Sequence, residues 1–287
     1  MPHLGIVDAG LSAPQPRSAA ISYWKSPEIT VSAALFAKFQ QLIYRETGIW
    51  LSESKTALLC GRLSRRIRAL QLRSLSEYYQ IVVQPDQHDE RMLMIDAITT
   101  NETRFFREPR HFDYLADTVV PQWRRLADKG LRSRKIRIWS AGCSTGEEAY
   151  SLAIAWHEYL GEAMTPTEIT IFGTYLSDIN VERARAAVYS EAAMEGVSGE
   201  RLRRFFVKIG RGYQVARRVR EMCVFARHDL TRDPPFARMD MISCRNVLIY
   251  LTPVLQKKVL EFIHYALQPT GFLILGKPES PSAAAVT

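Results

Sequence analysis

The chain has 287 residues, is 47% hydrophobic, and carries 38 Lys and Arg against 30 Asp and Glu, a formal net charge of +8. That is enough to bury one large core or two medium ones, and the positive balance favours an acidic partner: nucleic acid, an anionic membrane surface or an acidic protein. Its longest apolar runs, such as Phe272–Leu275, are too short to span a bilayer, and the scattered Cys60, Cys143, Cys223 and Cys244 form no C-x-x-C pair, which argues against a metal site or a disulfide framework and for reduced thiols.

Residues 1–28 are rich in Pro, Ser, Ala and Gly, show no signal-peptide pattern, and read as a disordered tail. From residue 29 to 97 the pattern is helical. Leu35, Phe36, Phe39, Leu42 and Ile43 recur at helical steps, and a second helix over about Glu53–Ala69 buries Leu58, Leu59, Leu63 and Ile67. Two shorter helices, near Ser76–Val83 and Asp89–Ala97, complete a small all-helical domain. Residues 98–112 form an interdomain segment, followed by a helix over Phe112–Asp128.

Thereafter strand and helix signals alternate. A buried strand carrying Ile136, Ile138 and Trp139 comes first, Glu168–Tyr175 reads as a second and Asp240–Cys244 as a third; helices are expected at Asn180–Val188 and Pro253–Leu267, and a last strand at Phe272–Leu275. The expected fold is α/β: a Rossmann-like, largely parallel sheet over residues 113–287 behind the helical domain. Gly212–Phe225 has strand-like alternation after the turn Gly210-Arg211-Gly212, predicting an inserted antiparallel β-ribbon at about 205–226.

The stretch Lys135–Ala153 is the most specific signal. A buried strand runs through Ala141-Gly142-Cys143-Ser144-Thr145-Gly146 into a helix whose first turn holds Glu147 and Glu148. A small-residue turn at such a place leaves backbone bare for a nucleotide-like ligand. The P-loop pattern is missing, as is the G-x-G-x-x-G spacing that holds a pyrophosphate. Acids beside a phosphate-free turn suit S-adenosylmethionine; the plainer reading is a tight strand–helix turn with two solvated carboxylates.

At four segments the chain resembles the chemotaxis receptor methyltransferases of the CheR type: the basic helix near Arg62–Arg68, TTNETRFFREPRHF at 99–112, WSAGCSTGEEAYSLA at 139–153, and CRNVLIY at 244–250. The resemblance implies a cytoplasmic enzyme that transfers methyl from S-adenosylmethionine to glutamates of methyl-accepting chemoreceptors, releasing S-adenosylhomocysteine and using no metal, no nucleic acid and no membrane insertion. It places Asn101, Thr103, Arg107, Gly142, Glu148, Tyr175, Asp229, Leu230, Arg245 and Asn246 around the cofactor, with Arg107 and Tyr250 beside the reacting groups. Lys55, Arg62, Arg65 and Arg66 become a cationic ridge for the receptor's acidic helices, and the short ribbon turn resembles members that need no C-terminal receptor tether. Three departures stand out: Tyr175 where an Asp usually binds the ribose, Ala149 for a usual Pro, and the low-complexity end Ser282–Thr287 in place of a further strand. Two other functions stay open: a methyltransferase for RNA or a small molecule, and a degenerate protein that docks acidic partners without turnover.

Overall fold

The computed structural model describes residues 30–99, 102–161 and 168–281. The expected N-terminal tail, the Ser282–Thr287 end and Asn101 lie outside the described residues.

The helical domain comprises α1 (Ala33–Thr47), α2 (Thr56–Ala69), α3 (Leu75–Val82) and α4 (His88–Ile98), with a single 3-10 turn at Glu53–Lys55 before α2. Ser32 caps α1 by accepting from the Leu35 amide, and Gly48 ends it in the left-handed conformation at φ 72°. Phe36, Phe39, Leu42 and Ile43 face inward with Leu59, Leu63, Ile67, Tyr78 and Val82. Leu58, expected in this core, is only half-buried and turns towards the domain boundary.

A helix broken by one wide π turn follows: α5 (Arg110–Tyr114), the π segment Leu115–Val119 and α6 (Val120–Asp128). The second domain is a five-stranded parallel sheet in the order β6-β2-β1-β7-β8. Its strands are β1 (Ile136–Ala141), β2 (Ile169–Tyr175), β6 (Cys223–Arg227), β7 (Met239–Cys244) and β8 (Leu267–Leu275). Helices α7 (Glu147–Leu160), α8 (Asp178–Ala186) and α11 (Pro253–Ala266) connect them. Side chains alternate across the sheet: Ile138, Ile171 and Met241 join the core beneath α7, whereas Trp139, Ile242 and Cys244 join the one beneath α11. Both faces are covered, which is why these strands read as nearly continuous apolar runs.

The chain moves outward from β1 to β2 and β6, then returns to the other side of β1 with β7 and β8. The order reverses between β1 and β7, so their carboxyl ends open the crevice where ligands settle in such sheets.

The expected antiparallel ribbon is present, with different bounds. It is a separate antiparallel sheet, β3 (Val188–Ser190), β5 (Gly212–Val215) and β4 (Phe206–Ile209), in the order β3-β5-β4, with α9 (Gly199–Phe205) leading into β4. The alternation read through Gly212–Phe225 is cut by the short helix α10 (Arg217–Arg220), which buries Val219; Cys223–Arg227 then pairs parallel to β2. A half-buried edge strand and a ribbon share the same period of two, so pattern alone could not divide them.

Candidate functional site

A cavity of about 470 Å³ lies where the helical domain covers the crevice between β1 and β7. Its walls include Thr103, Arg107, Gly142, Glu148, Tyr175, Asp229, Leu230, Arg245, Asn246 and Tyr250. Every described residue expected at the cofactor or the reacting groups therefore meets at one place, drawn from five widely separated segments. Lys55 lines it too, whereas Arg62, Arg65 and Arg66 do not.

The turn after β1 is held by its own backbone: the amides of Gly142 and Cys143 both donate to the Thr174 carbonyl at 2.9 Å. Gly142 sits at φ 86°, and a Cβ there would overlap Val247. Gly146, at φ 97°, lies 2.9 Å from the Ala184 Cβ measured from an added Cβ. The glycines thus serve close packing of the protein on itself, a correction to the expectation that both leave backbone bare; Gly142, Cys143 and Ser144 still form one wall. Glu147 is buried rather than solvated: Thr145 donates to it at 2.6 Å, and burial pushes its carboxyl up.

Glu148, one residue on, faces the cavity. Ser140 donates to it at 2.7 Å and Arg245 Nη1 at 3.1 Å. The Arg245 side chain is 4% exposed and also faces Glu108 at 3.3 Å, while its Nη2 donates to the Arg107 carbonyl. Its guanidinium is therefore committed to the interdomain segment on one side and to Glu148 on the other. Arg245 acts as a clamp between the two while still lining the cavity.

That clamp holds a bent segment. Phe106 and Glu108 both take positive φ, 53° and 58°, and the Phe106 amide donates to Ser151 on α7 at 2.9 Å. Arg107 lies between them with its side chain donating to the Glu102 carbonyl at 2.7 Å. Burial raises the Glu108 carboxyl, yet the Arg245 charge outweighs it and holds the group below the usual range. Burial, and then Arg245, pull the neighbouring His111 down.

The 244–250 segment has an anchor that sequence reasoning missed. The Glu279 carboxylate accepts from the amides of Asn246, Val247 and Leu248 at 2.8 Å each, and from Gly276 at 2.7 Å. It fixes Asn246, at φ 58°, and the single turn Leu248–Tyr250 that presents Tyr250. No local spacing links position 279 to this turn; an acid just past the last strand was the only signal.

Asp229 is both a wall of the cavity and a structural cap. It lines the cavity, and its Oδ1 accepts from the Thr231 amide at 2.8 Å and hydroxyl at 2.7 Å, capping its own turn. Tyr175 is pushed up to about 12 by burial and makes a side-chain hydrogen bond with Thr99, so it stays a neutral phenol at physiological pH. Ser177, 2% exposed at the start of α8, also lines the cavity; its Oγ has no hydrogen-bond partner among the described residues. It too was missed.

The docking ridge needs correction. Arg62 donates to the carbonyls of Ile98 at 2.8 Å and Thr99 at 2.7 Å, tying α2 to the end of α4. Arg66 makes a forked pair with Glu90, which also accepts from Tyr78 at 2.8 Å. These two arginines are engaged in packing, and their partners offset the repulsion between like charges one helical turn apart. Lys55 and Arg65 stay exposed. Among the described residues no cluster of three or more His, Cys, Asp or Glu side chains is placed to hold a metal ion.

Fold and site define a parallel-sheet protein whose switch-point cavity, closed by a helical cap, takes a small organic cofactor. Residues 101–285 match the CheR methyltransferase SAM-binding domain and residues 34–99 the CheR methyltransferase all-alpha domain. A probable chemotaxis protein methyltransferase of Rhizobium etli is 35% identical over 249 residues, covering 85% of this chain and 91% of that one. The chemotaxis protein methyltransferase of Vibrio parahaemolyticus is 35% identical over 257 residues, covering 88% and 91%. An uncharacterised 104.1 kDa protein of Rhodobacter capsulatus is 35% identical over 221 residues, 76% of this chain but 22% of that protein. The chain belongs to the CheR methyltransferase family.

S-adenosylmethionine fits the residues present. The cavity offers carboxylates at Glu148 and Asp229, phenols at Tyr175 and Tyr250, and the unsatisfied hydroxyl of Ser177. That donor and acceptor set matches an ammonium, ribose hydroxyls, an adenine amine and a sulfonium.

Proposed function

We propose that this protein is an S-adenosylmethionine-dependent protein-glutamate O-methyltransferase of chemotaxis-type signalling, acting on the side chains of chemoreceptors. The observation that carries the reading is the single cavity that gathers Thr103, Arg107, Glu148, Tyr175, Asp229, Asn246 and Tyr250 from both sides of the switch point.

Bound there, S-adenosylmethionine supplies an electrophilic methyl, which a carboxylate with an unperturbed pKa near ~4.3 takes without a general base. The protein's task is placement, which is worth up to about 7–11 kcal/mol when the reacting atoms are aligned. Glu148, oriented by Ser140 and Arg245, receives the amino-acid end of the cofactor. Asp229, whose second carboxylate oxygen faces Arg232 at 3.5 Å, lies toward the adenine amine, and Tyr175 with Ser177 meets the ribose where an acid is usual. Arg107 steers the acceptor carboxylate as a charge-assisted donor, and the Tyr250 ring faces the sulfonium. Asn101, expected beside them, lies outside the described residues.

On the acceptor side, Lys55 at the cavity and the exposed Arg65 on α2 meet the acidic methylation helices of a receptor. The ribbon turn of only Gly210 and Arg211 between β4 and β5 supports action without a C-terminal tether. The four unpaired cysteines suit a reducing, cytoplasmic setting, and no described helix is long and apolar enough to cross a membrane.

Tritiated methyl transfer to receptor-enriched membranes tests this. Base-labile counts that disappear in Arg107→Ala are expected, since an ester hydrolyses in base; counts that survive base exclude a carboxyl acceptor.

A further inference from the structure

Large apolar side chains left in solvent are a minority among the described residues, and two of them line the cavity. Trp50 is 51% exposed and Ile249 is 45% exposed, one from each domain. Tyr44, 38% exposed, stacks edge-on against the indole with ring centroids 5.6 Å apart.

The backbone beneath Trp50 is unusually well held for a loop. Gly48 turns the chain out of α1 at φ 72°, where a side chain would meet Leu255 at 2.7 Å. Thr47 Oγ1 accepts from the Ile49 amide at 3.0 Å, and Gln40 donates to the Leu51 carbonyl at 2.6 Å. Ile49 pairs with Leu251 in an antiparallel bridge between the domains. By that register Trp50 stands across from Tyr250. A rigid main chain that holds an indole out to water, beside the reacting group, is how a binding hot spot is built.

From this we infer that Trp50, backed by Tyr44 and joined by Ile249, is a specificity-determining contact for the protein substrate. It grips an apolar side chain on the same helical face as the acceptor glutamate, about three or four residues away. The occupant is an acidic amphipathic helix. Lys55, Arg104 and Arg107 line the same cavity and complement its carboxylates, while the apolar lip accounts for its other face. The inference rests on the methyltransferase reading above and adds to it the surface by which the acceptor is selected.

The test is initial-rate methyl transfer to a soluble cytoplasmic fragment of a methyl-accepting chemoreceptor, beside calorimetric titration with S-adenosylmethionine. Trp50→Ala should raise KM for the fragment about tenfold or more, with kcat changed less than about threefold and cofactor affinity unaltered. Trp50→Phe should recover most of the loss, and Ile249→Ala should raise KM in the same direction. An unchanged KM in Trp50→Ala overturns the inference, as does a loss of cofactor affinity of equal size, which would mark Trp50 as part of the fold. If the unaltered chain methylates no receptor fragment, the methyltransferase reading and the inference fall together; if it does and Trp50→Ala behaves identically, only the inference falls.

Discussion

Replacing Arg245 with Met separates a clamp from a cofactor ligand. The guanidinium is 4% exposed, and the carboxylates it faces, Glu148 and Glu108, are 15% and 25% exposed. Removing it takes the countercharge from both acids, leaving Glu148 to Ser140 and Glu108 to His111, and frees the Arg107 carbonyl. Breaking a buried pair in this way costs about 3–5 kcal/mol; the partial exposure of Glu108 places the loss near the lower end, about 3 kcal/mol. For a domain of this size each kcal/mol moves Tm by about 2–4 °C, so a fall of about 6–12 °C is expected in a thermal melt. Cofactor affinity should drop as well, because Glu148 loses its orientation. Arg245→Lys should fall between, keeping the charge but losing the fork. A melt within about 2 °C of the unaltered protein, with cofactor binding abolished, would refute the clamp and make the guanidinium a direct ligand.

Four further outcomes are expected. Gly142→Ala forces a side chain into the left-handed region and against Val247, costing about 2–5 kcal/mol in urea unfolding; adding Val247→Ala should recover the overlap but not the backbone share. Glu279→Ala leaves the amides of residues 246–248 and 276 without their acceptor, and hydrogen exchange at those four amides should quicken at least about tenfold. Tyr175→Phe should weaken S-adenosylmethionine by about 0.5–1.5 kcal/mol, the ordinary worth of a neutral hydrogen bond, and an unchanged titration would move the ribose elsewhere. Stability should decline as pH falls. His111 is held down by burial and Arg245, so the unfolded chain gains its proton first, from about 6.5 downward. Glu108 is also held low, adding a second decline below about 4.3, against which the buried Glu147, held high, works in the opposite direction. Urea midpoints across pH should show both, and His111→Gln should flatten the first alone.

Much of the site was legible before the fold. The strand–turn–helix at Ile136–Leu160 and the Arg-Asn pair after β7 are contiguous, and their positions at strand ends follow from local pattern. The helical domain was readable from its apolar stripes for the same reason. What could not be read depends on distant neighbours. Arg62 and Arg66 looked like a docking ridge because a helix face shows its charges but not their partners; the partners are the α4 carbonyls and Glu90, over twenty residues on. Glu279 meets its amides only because β8 runs beside β7. Ser177 gains meaning from burial, which no spacing reports.

The bridge between Ile49 and Leu251 also bears on how such enzymes diversify. Because one pairing joins the residue before Trp50 to the residue after Tyr250, the element that chooses a target and the element that serves the chemistry share a seam. Helical caps exchanged between relatives should transplant target preference only when the turn at 248–251 travels with them, and natural variation at the two loops should be found to change in step.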